Sequence, residues 1–210
     1  MKKTLITILL VSIIGCSPSL QNLSISKKEV QQYYDSGSYG LEMANVIDDA
    51  INKFNDIELT GKPAAVFDVD ETTLSNYPYI KSINYGYFSE GWHKWVLQED
   101  AEAILQTKKL YDYLVEKGVG IIFLTGRNYK EYNATLNNLK AQGYEVFDTL
   151  ICRQKDELKL KATEYKPAKR KEMTEKGYNI IINVGDQWSD LEGGYSKLDI
   201  KLPNYLYMID

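Results

Sequence analysis

The stretch that most constrains this chain is Ala64 to Thr73, AAVFDVDETT. Ala64 to Phe67 are apolar and read as a short buried strand, with Pro63 just ahead, where no ladder donor is needed. Two carboxylates, Asp68 and Asp70, stand where that strand ends. An unpaired buried carboxylate is very costly, so both are expected at a sheet edge facing water, a cation or a ligand. In open α/β sheets that edge is where ligands bind. Residues two apart on a strand point the same way, so the spacing lets both carboxylates face one site. A divalent cation between them makes the like charges tolerable. The alternative is a solvated acidic turn. An EF-hand loop is excluded, because with Asp68 as first ligand the glycine position is Thr73 and the final glutamate position is Tyr79.

Residues 1–15 read as a leader rather than as fold. Met1, Lys2 and Lys3 start it, Thr4 to Ile14 is almost wholly apolar, and Gly15-Cys16 closes it. The run is too short for a spanning helix. Ile13-Ile14-Gly15-Cys16 resembles a bacterial lipobox, which implies cleavage before Cys16 and lipid on its thiol. The expectation is a bacterial, extracytoplasmic lipoprotein at the outer membrane or cell surface, attached to the membrane through Cys16. Ser17 to Ser26 is polar, and residues 16–28 are expected as a tether. Removing residues 1–15 deletes two lysines and no acid, moving the formal net charge from −4 to −6. No basic block remains, which argues against nucleic acid as a partner. With Cys16 acylated, Cys152 has no disulfide partner. It lies in Thr149-Leu150-Ile151-Cys152 and reads as a buried strand thiol rather than a nucleophile.

From residue 29 to residue 210 the chain reads as one domain with a substantial core. Val30 to Phe54 carries a helical apolar period, broken into two helices at Ser36-Gly37-Ser38. After the acidic loop comes an aromatic insert, residues 75–100, with Tyr77, Tyr79, Tyr85, Tyr87, Phe88, Trp92 and Trp95. It is expected either as a subdomain stabilised by its own rings or as a cap that stacks on a planar substrate group. His93 is the sole histidine, so a multi-histidine zinc site is excluded. Ala101 to Lys117 reads as an amphipathic helix, and Val119 to Leu124 as a second strand ending in Thr125-Gly126-Arg127. A helix from Asn128 to Gln142 and a third strand region from Glu145 to Cys152 follow. The charged run from Arg153 to Lys169 reads mostly as a solvated loop. Pro167 fits the first turn of a helix from Ala168 to Lys176, which would put Lys166 at a helix N-terminus, a natural place for phosphate. Asn179 to Val184 is a fourth strand, ending in Gly185-Asp186-Gln187-Trp188-Ser189-Asp190. Asp199 to Leu202 is a short fifth strand.

The alternation of strands and helices implies an α/β fold, a doubly wound parallel sheet with N-terminal helices and a small aromatic-rich cap or flap insert. Its strand ends carry Asp68, Asp70, Thr125, Asp186 and Asp190, with Lys166 beside them. Acids, a hydroxyl and a lysine at one rim suit Mg²⁺-dependent phosphoryl transfer, in which cation and lysine neutralise phosphate oxygens and one Asp attacks. No P-loop and no G-x-G-x-x-G is present, so NTPase and dinucleotide readings have no support.

The D-x-D-x-T signature, the later hydroxyl residue, the lysine and the late acidic pair resemble the haloacid dehalogenase superfamily. FDVDETTLSN, Trp92 and Trp95, FLTGR, YKPAKR, GDQWSDL and KLPN together resemble the class-III-type acid phosphatases. Those include plant vegetative-storage-protein-like phosphatases and bacterial class C nonspecific acid phosphatases, the latter being surface lipoproteins. The resemblance implies Asp68 as nucleophile, Asp70 as general acid and base, and Thr125 and Lys166 as phosphoryl-binding residues. It implies a Mg²⁺ site from Asp68, the Asp70 backbone carbonyl, Asp186 and Asp190. Lys169 competes with Lys166 for the lysine role. Trp92, Tyr77, Gly126 and Arg127 are candidates for substrate contact. The expected substrate is a small phosphate monoester, 5′-nucleotides or other aromatic phosphates. A non-catalytic binding lipoprotein on the same scaffold and a phosphotransferase of the same superfamily are the alternatives.

Overall fold

The computed structural model describes residues 20–209. The leader and Cys16 lie outside the described residues. Asn22 caps α1 (Leu23–Asp35) by accepting the Ser24 N–H, so the helix starts inside the stretch expected as a tether. Gly37, with φ of +83°, turns the chain into α2 (Ser38–Asn55). Steps of three and four place Met43, Ile47, Ala50 and Phe54 on one buried stripe of that helix.

The first strand of the sheet, β1 (Lys62–Phe67), leads to the acidic loop and then β2 (Leu74–Ser75). Two short helices follow, α3 (Tyr77–Ser82) and α4 (Ser89–Val96), and then β3 (Glu102–Ala103). β2 and β3 pair antiparallel and close the base of the aromatic insert. The helix read from Ala101 starts only at Leu105, as α5 (Leu105–Glu116), because the preceding residues are used by this pairing. β4 (Gly120–Asn128) runs on through Thr125-Gly126-Arg127. The next helix read as starting at Asn128 is a 3₁₀ turn over Tyr129–Glu131 followed by α6 (Tyr132–Ala141). β5 (Thr149–Arg153), α7 (Ala162–Glu175), β6 (Tyr178–Gly185), α8 (Trp188–Leu191) and β7 (Leu198–Lys201) complete the order.

Among the described residues, five strands form a parallel sheet in the order β5-β4-β1-β6-β7. The period of two sorts its residues between two cores. Ala65, Phe67, Ile121 and Phe123 face the cluster built with α2 and α5. Ala64, Val66, Ile122 and Leu124 face Tyr165 and Met173 of α7. Helices on both faces make the sheet doubly wound, and the chain reverses its winding direction between β1 and β6. The carboxylates that follow β1 and β6 therefore meet at the switch point. Cys152 is buried in β5, and burial pushes its thiol up to about 12.

α7 differs from the sequence reading. It begins at Ala162, with the Glu164 carboxylate accepting the Lys161 N–H at 3.0 Å, so Pro167 lies inside the helix and Lys166 in its second turn. Tyr165, Lys166 and Arg170 are all buried there, and this packing outweighs the local preference of proline for a first turn.

Candidate active site

Asp68 is the first residue beyond β1, and its N–H donates to the Val184 carbonyl at 2.9 Å. It continues the face of Ala64 and Val66, and its carboxylate points under α7. Lys166 Nζ lies 2.5 Å from Asp68 Oδ1, 2.6 Å from the Leu124 carbonyl oxygen and 3.1 Å from Asp190 Oδ1. Burial opposes the lysine's charge, but Asp190 and Asp68 outweigh it and raise its pKa. Burial pushes the Asp68 carboxyl well up, against the pull of Lys166 and with Asp190, Asp186 and Asp70 adding to the effect. Lys166 is thus the lysine at this centre. Lys169 points elsewhere, pairing with Glu157 at 2.5 Å and Glu172 at 3.1 Å.

Asp186 and Asp190 arrive from the end of β6 and from α8. Carboxylate oxygens of Asp68, Asp186 and Asp190 lie within 4.8 Å of one another, all buried. Asp186 accepts from Thr72 Oγ1 at 3.0 Å and from the amides of Gln187 and Asn204, each at 2.6 Å. Burial, with Asp190 beside it, pushes the Asp186 carboxyl up to about 6. Three buried carboxylates sharing one lysine are under-compensated, and hard oxygen donors at this spacing suit a divalent cation.

Besides Lys166 and the Gln187 N–H, which donates to its Oδ2 at 3.0 Å, two further features hold Asp190 in place. Arg170, fully buried, donates to the carbonyls of Asp190 at 2.5 Å, Leu191 at 3.3 Å, Glu192, and Gly194 at 2.8 Å. Lys166 and Arg170 are four apart on α7, so one helical stripe supplies both the site lysine and the clamp on α8. Second, a Cβ on Gly185 would overlap the Asp190 Cβ and lie 2.9 Å from its Cγ. Gly185→Ala is expected to push α8 off the sheet and weaken divalent-cation binding about tenfold or more. A cation titration that gives wild-type affinity for this variant would remove that role.

Asp70 behaves differently from the sequence expectation. The strand ends at Phe67, Glu71 takes a left-handed φ of +55°, and the two-residue parity no longer holds. The Asp70 carboxylate turns to Arg127, whose Nη2 donates at 2.7 Å and Nε at 3.1 Å to the same oxygen. It is therefore not part of the carboxylate triad. Arg127, a candidate for substrate contact, is buried, with its Nη1 donating to Thr135 Oγ1 at 3.1 Å. Its guanidinium contacts are with Asp70 and Thr135. Thr125 is also buried, and its Oγ1 accepts the Arg127 N–H at 3.1 Å. Gly126 between them is exposed.

Asn76 ties this centre to the insert. Its amide nitrogen donates to Asp70 Oδ1 at 2.9 Å and to Glu71 Oε2 at 3.1 Å, while its oxygen accepts Trp95 Nε1–H at 2.8 Å. Glu71, buried, is pushed up to about 8 by burial and by Asp70 and Asp186. Trp92 is half-buried, edge-on to Tyr79. Tyr77 does not join it. Its ring stacks on Tyr34 at 4.6 Å and its hydroxyl donates to Asp35 at 2.8 Å, so it anchors the insert to α1. Sequence reasoning assigned no role to Thr72, Asn76, Arg170, Gln187 or Asn204. All five lie inside the motifs that carry the resemblance, which was the signal available.

A family model described as HAD superfamily, subfamily IIIB (acid phosphatase), matches residues 19–210. Among curated proteins, the chain is 38% identical over 185 residues to a stem 28 kDa glycoprotein of Glycine max, covering 85% of this chain and 73% of the relative. It is 37% identical over 186 residues to acid phosphatase 1 of Solanum lycopersicum, covering 86% and 73%. A class C acid phosphatase from Bacillus anthracis has the same fold, with a TM-score of 0.72 at 22% identity over 88% of this chain and 86% of that one. The soybean stem glycoproteins, the tomato acid phosphatase and the Arabidopsis vegetative storage proteins among these relatives are plant proteins, and they overturn the expectation of a bacterial membrane-anchored lipoprotein. Among the described residues no helix is long and apolar enough to cross a membrane. The chain belongs to the acid phosphatases of the HAD superfamily, subfamily IIIB.

Proposed function

We propose that this acid phosphatase is a Mg²⁺-dependent phosphomonoesterase that works through an aspartyl-phosphate on Asp68. The observation that carries this reading is the buried Asp68 carboxylate, beside Lys166 and grouped with Asp186 and Asp190. In the first step an Asp68 oxygen attacks phosphorus and the ester P–O bond breaks. The departing alkoxide takes a proton from Asp70, which Arg127 and Asn76 hold in place. In the second step Asp70 takes a proton from water, the water oxygen attacks phosphorus, and the P–O bond to Asp68 breaks, releasing phosphate. Lys166 and Thr125 bind the phosphoryl oxygens. Mg²⁺, held by Asp68, Asp186, Asp190 and the Asp70 backbone carbonyl, would neutralise charge on the phosphoryl group.

The substrate class in this reading is the small aromatic phosphate monoester, with 5′-nucleotides foremost. The half-exposed Trp92 and the exposed Gly126 leave an aromatic edge and an open backbone available to a leaving group. Phosphate release from 5′-AMP, nicotinamide mononucleotide, p-nitrophenyl phosphate and glucose 6-phosphate tests both parts. Release is expected to stop in chelator and return with Mg²⁺. The aromatic substrates are expected to exceed glucose 6-phosphate in kcat/KM by about tenfold. Turnover unaffected by chelator would remove the cation from the scheme, and equal kcat/KM across the four would remove the aromatic preference.

A further inference from the structure

The chain's last described residues run back over the acidic centre and touch it at three points. Asn204 Nδ2 donates to Asp186 Oδ2 at 2.6 Å. Tyr207 donates its hydroxyl to the buried Glu71 at 2.7 Å. The Ile209 N–H donates to Gln187 Oε1 at 3.0 Å, and Gln187 Nε2 in turn donates to Asp186 Oδ2 at 2.6 Å. The Leu206 N–H donates to Asn204 Oδ1 at 2.7 Å. Each amide thus has its oxygen occupied by a backbone N–H of the C-terminal segment and its nitrogen turned to the same carboxylate oxygen. Flipping either amide would set two oxygens against each other at Asp186 and face a nitrogen with a backbone donor. The segment therefore decides which end of each amide meets Asp186.

We propose that residues 204–209 form a strap that positions Asp186 for a divalent cation, with Asn204 as its positioning residue. Two amide donors hold Oδ2, while among the described residues Oδ1 takes only the Thr72 hydroxyl and keeps a lone pair for the cation. Outer groups that orient a carboxylate ligand set metal affinity without touching the metal. The inference rests on the reading above that this centre binds Mg²⁺.

The test is a calorimetric titration of the full chain with Mg²⁺, comparing wild type, Asn204→Ala and Tyr205→Phe. Tyr205 belongs to the same segment, but its hydroxyl bonds Glu42 and does not contact Asp186. Asn204→Ala is expected to bind Mg²⁺ about tenfold more weakly, and Tyr205→Phe to bind as wild type does. The phosphatase activity lost in Asn204→Ala should return as Mg²⁺ is raised to saturation, which a general structural defect would not allow. If the alanine variant does not fold, Asn204→Leu keeps the volume while losing both hydrogen bonds, and the same loss is expected. Affinity within about twofold of wild type, an equal loss in Tyr205→Phe, or activity that Mg²⁺ does not restore would each overturn the strap. A wild-type chain that takes up no Mg²⁺ would instead sink the cation reading, and the strap with it, and is recognised because no variant is needed to see it.

Discussion

Asp68→Asn is expected to abolish turnover while the fold survives. The asparagine keeps the volume and can still accept from Lys166, but its amide oxygen is a poor nucleophile at phosphorus. The loss should be on the order of a thousandfold or more, about 4 kcal/mol in transition-state stabilisation. Folding should survive for an electrostatic reason. The variant removes one carboxylate from a buried group of three, and Lys166 keeps Asp190 as its counter-charge at 3.1 Å. Phosphate release and a thermal melt on the same preparation make the measurement. Near-wild-type release would take the nucleophile's role from Asp68, whereas a cooperative melt with no release would leave it there.

Lys166→Met should cost both activity and stability. The lysine side chain is 4% exposed, and it is the cation on both Asp68 and Asp190. Methionine fills the same space but leaves two carboxylates buried without it. Removing one partner of a buried ion pair typically costs about 3–5 kcal/mol, which for a chain of this size lowers Tm by on the order of 10 °C. Two further outcomes follow from the same electrostatics. Mg²⁺ should restore part of the lost stability, because a cation in the triad replaces the missing charge. The double variant Asp68→Asn/Lys166→Met should be more stable than the sum of the single losses, because one orphaned charge is gone. Denaturant melts in chelator and in Mg²⁺ test this. A Lys166→Met melt unchanged from wild type would mean that the triad does not depend on the lysine's charge.

The contrast between Asp68 and Asp70 shows how far local pattern carries. Both carboxylates were visible as acids at a strand end, and parity predicted that they share a direction. Asp68 follows that prediction because it is adjacent to β1 and still under the strand's geometry. Asp70 does not, because the backbone has left the sheet and Arg127, 57 residues away, offers a paired donor set. The same limit applies to Lys166. The YKPAKR motif marks its importance, but Pro167 points locally to a helix start just after it. Burial of Tyr165, Lys166 and Arg170 together extends the helix through the proline instead.

Sequence alone determined the order of the five sheet strands and of the longer helices between them, the cluster of acids at strand ends and the motifs that mark the family. These are local properties. Apolar runs, their periods of two and of three to four, and the charges that interrupt them are set by neighbours in the chain. The tertiary structure alone decided which groups meet. Lys166 reaches Asp68 across 98 residues, Thr72 reaches Asp186 across 114, and Tyr207 reaches Glu71 across 136. The amides of Asn76, Gln187 and Asn204 carry no charge and fit any surface loop as well as a site. Only the fold, by excluding water and leaving each buried carboxylate in need of donors, turns them into the groups that orient the acidic centre.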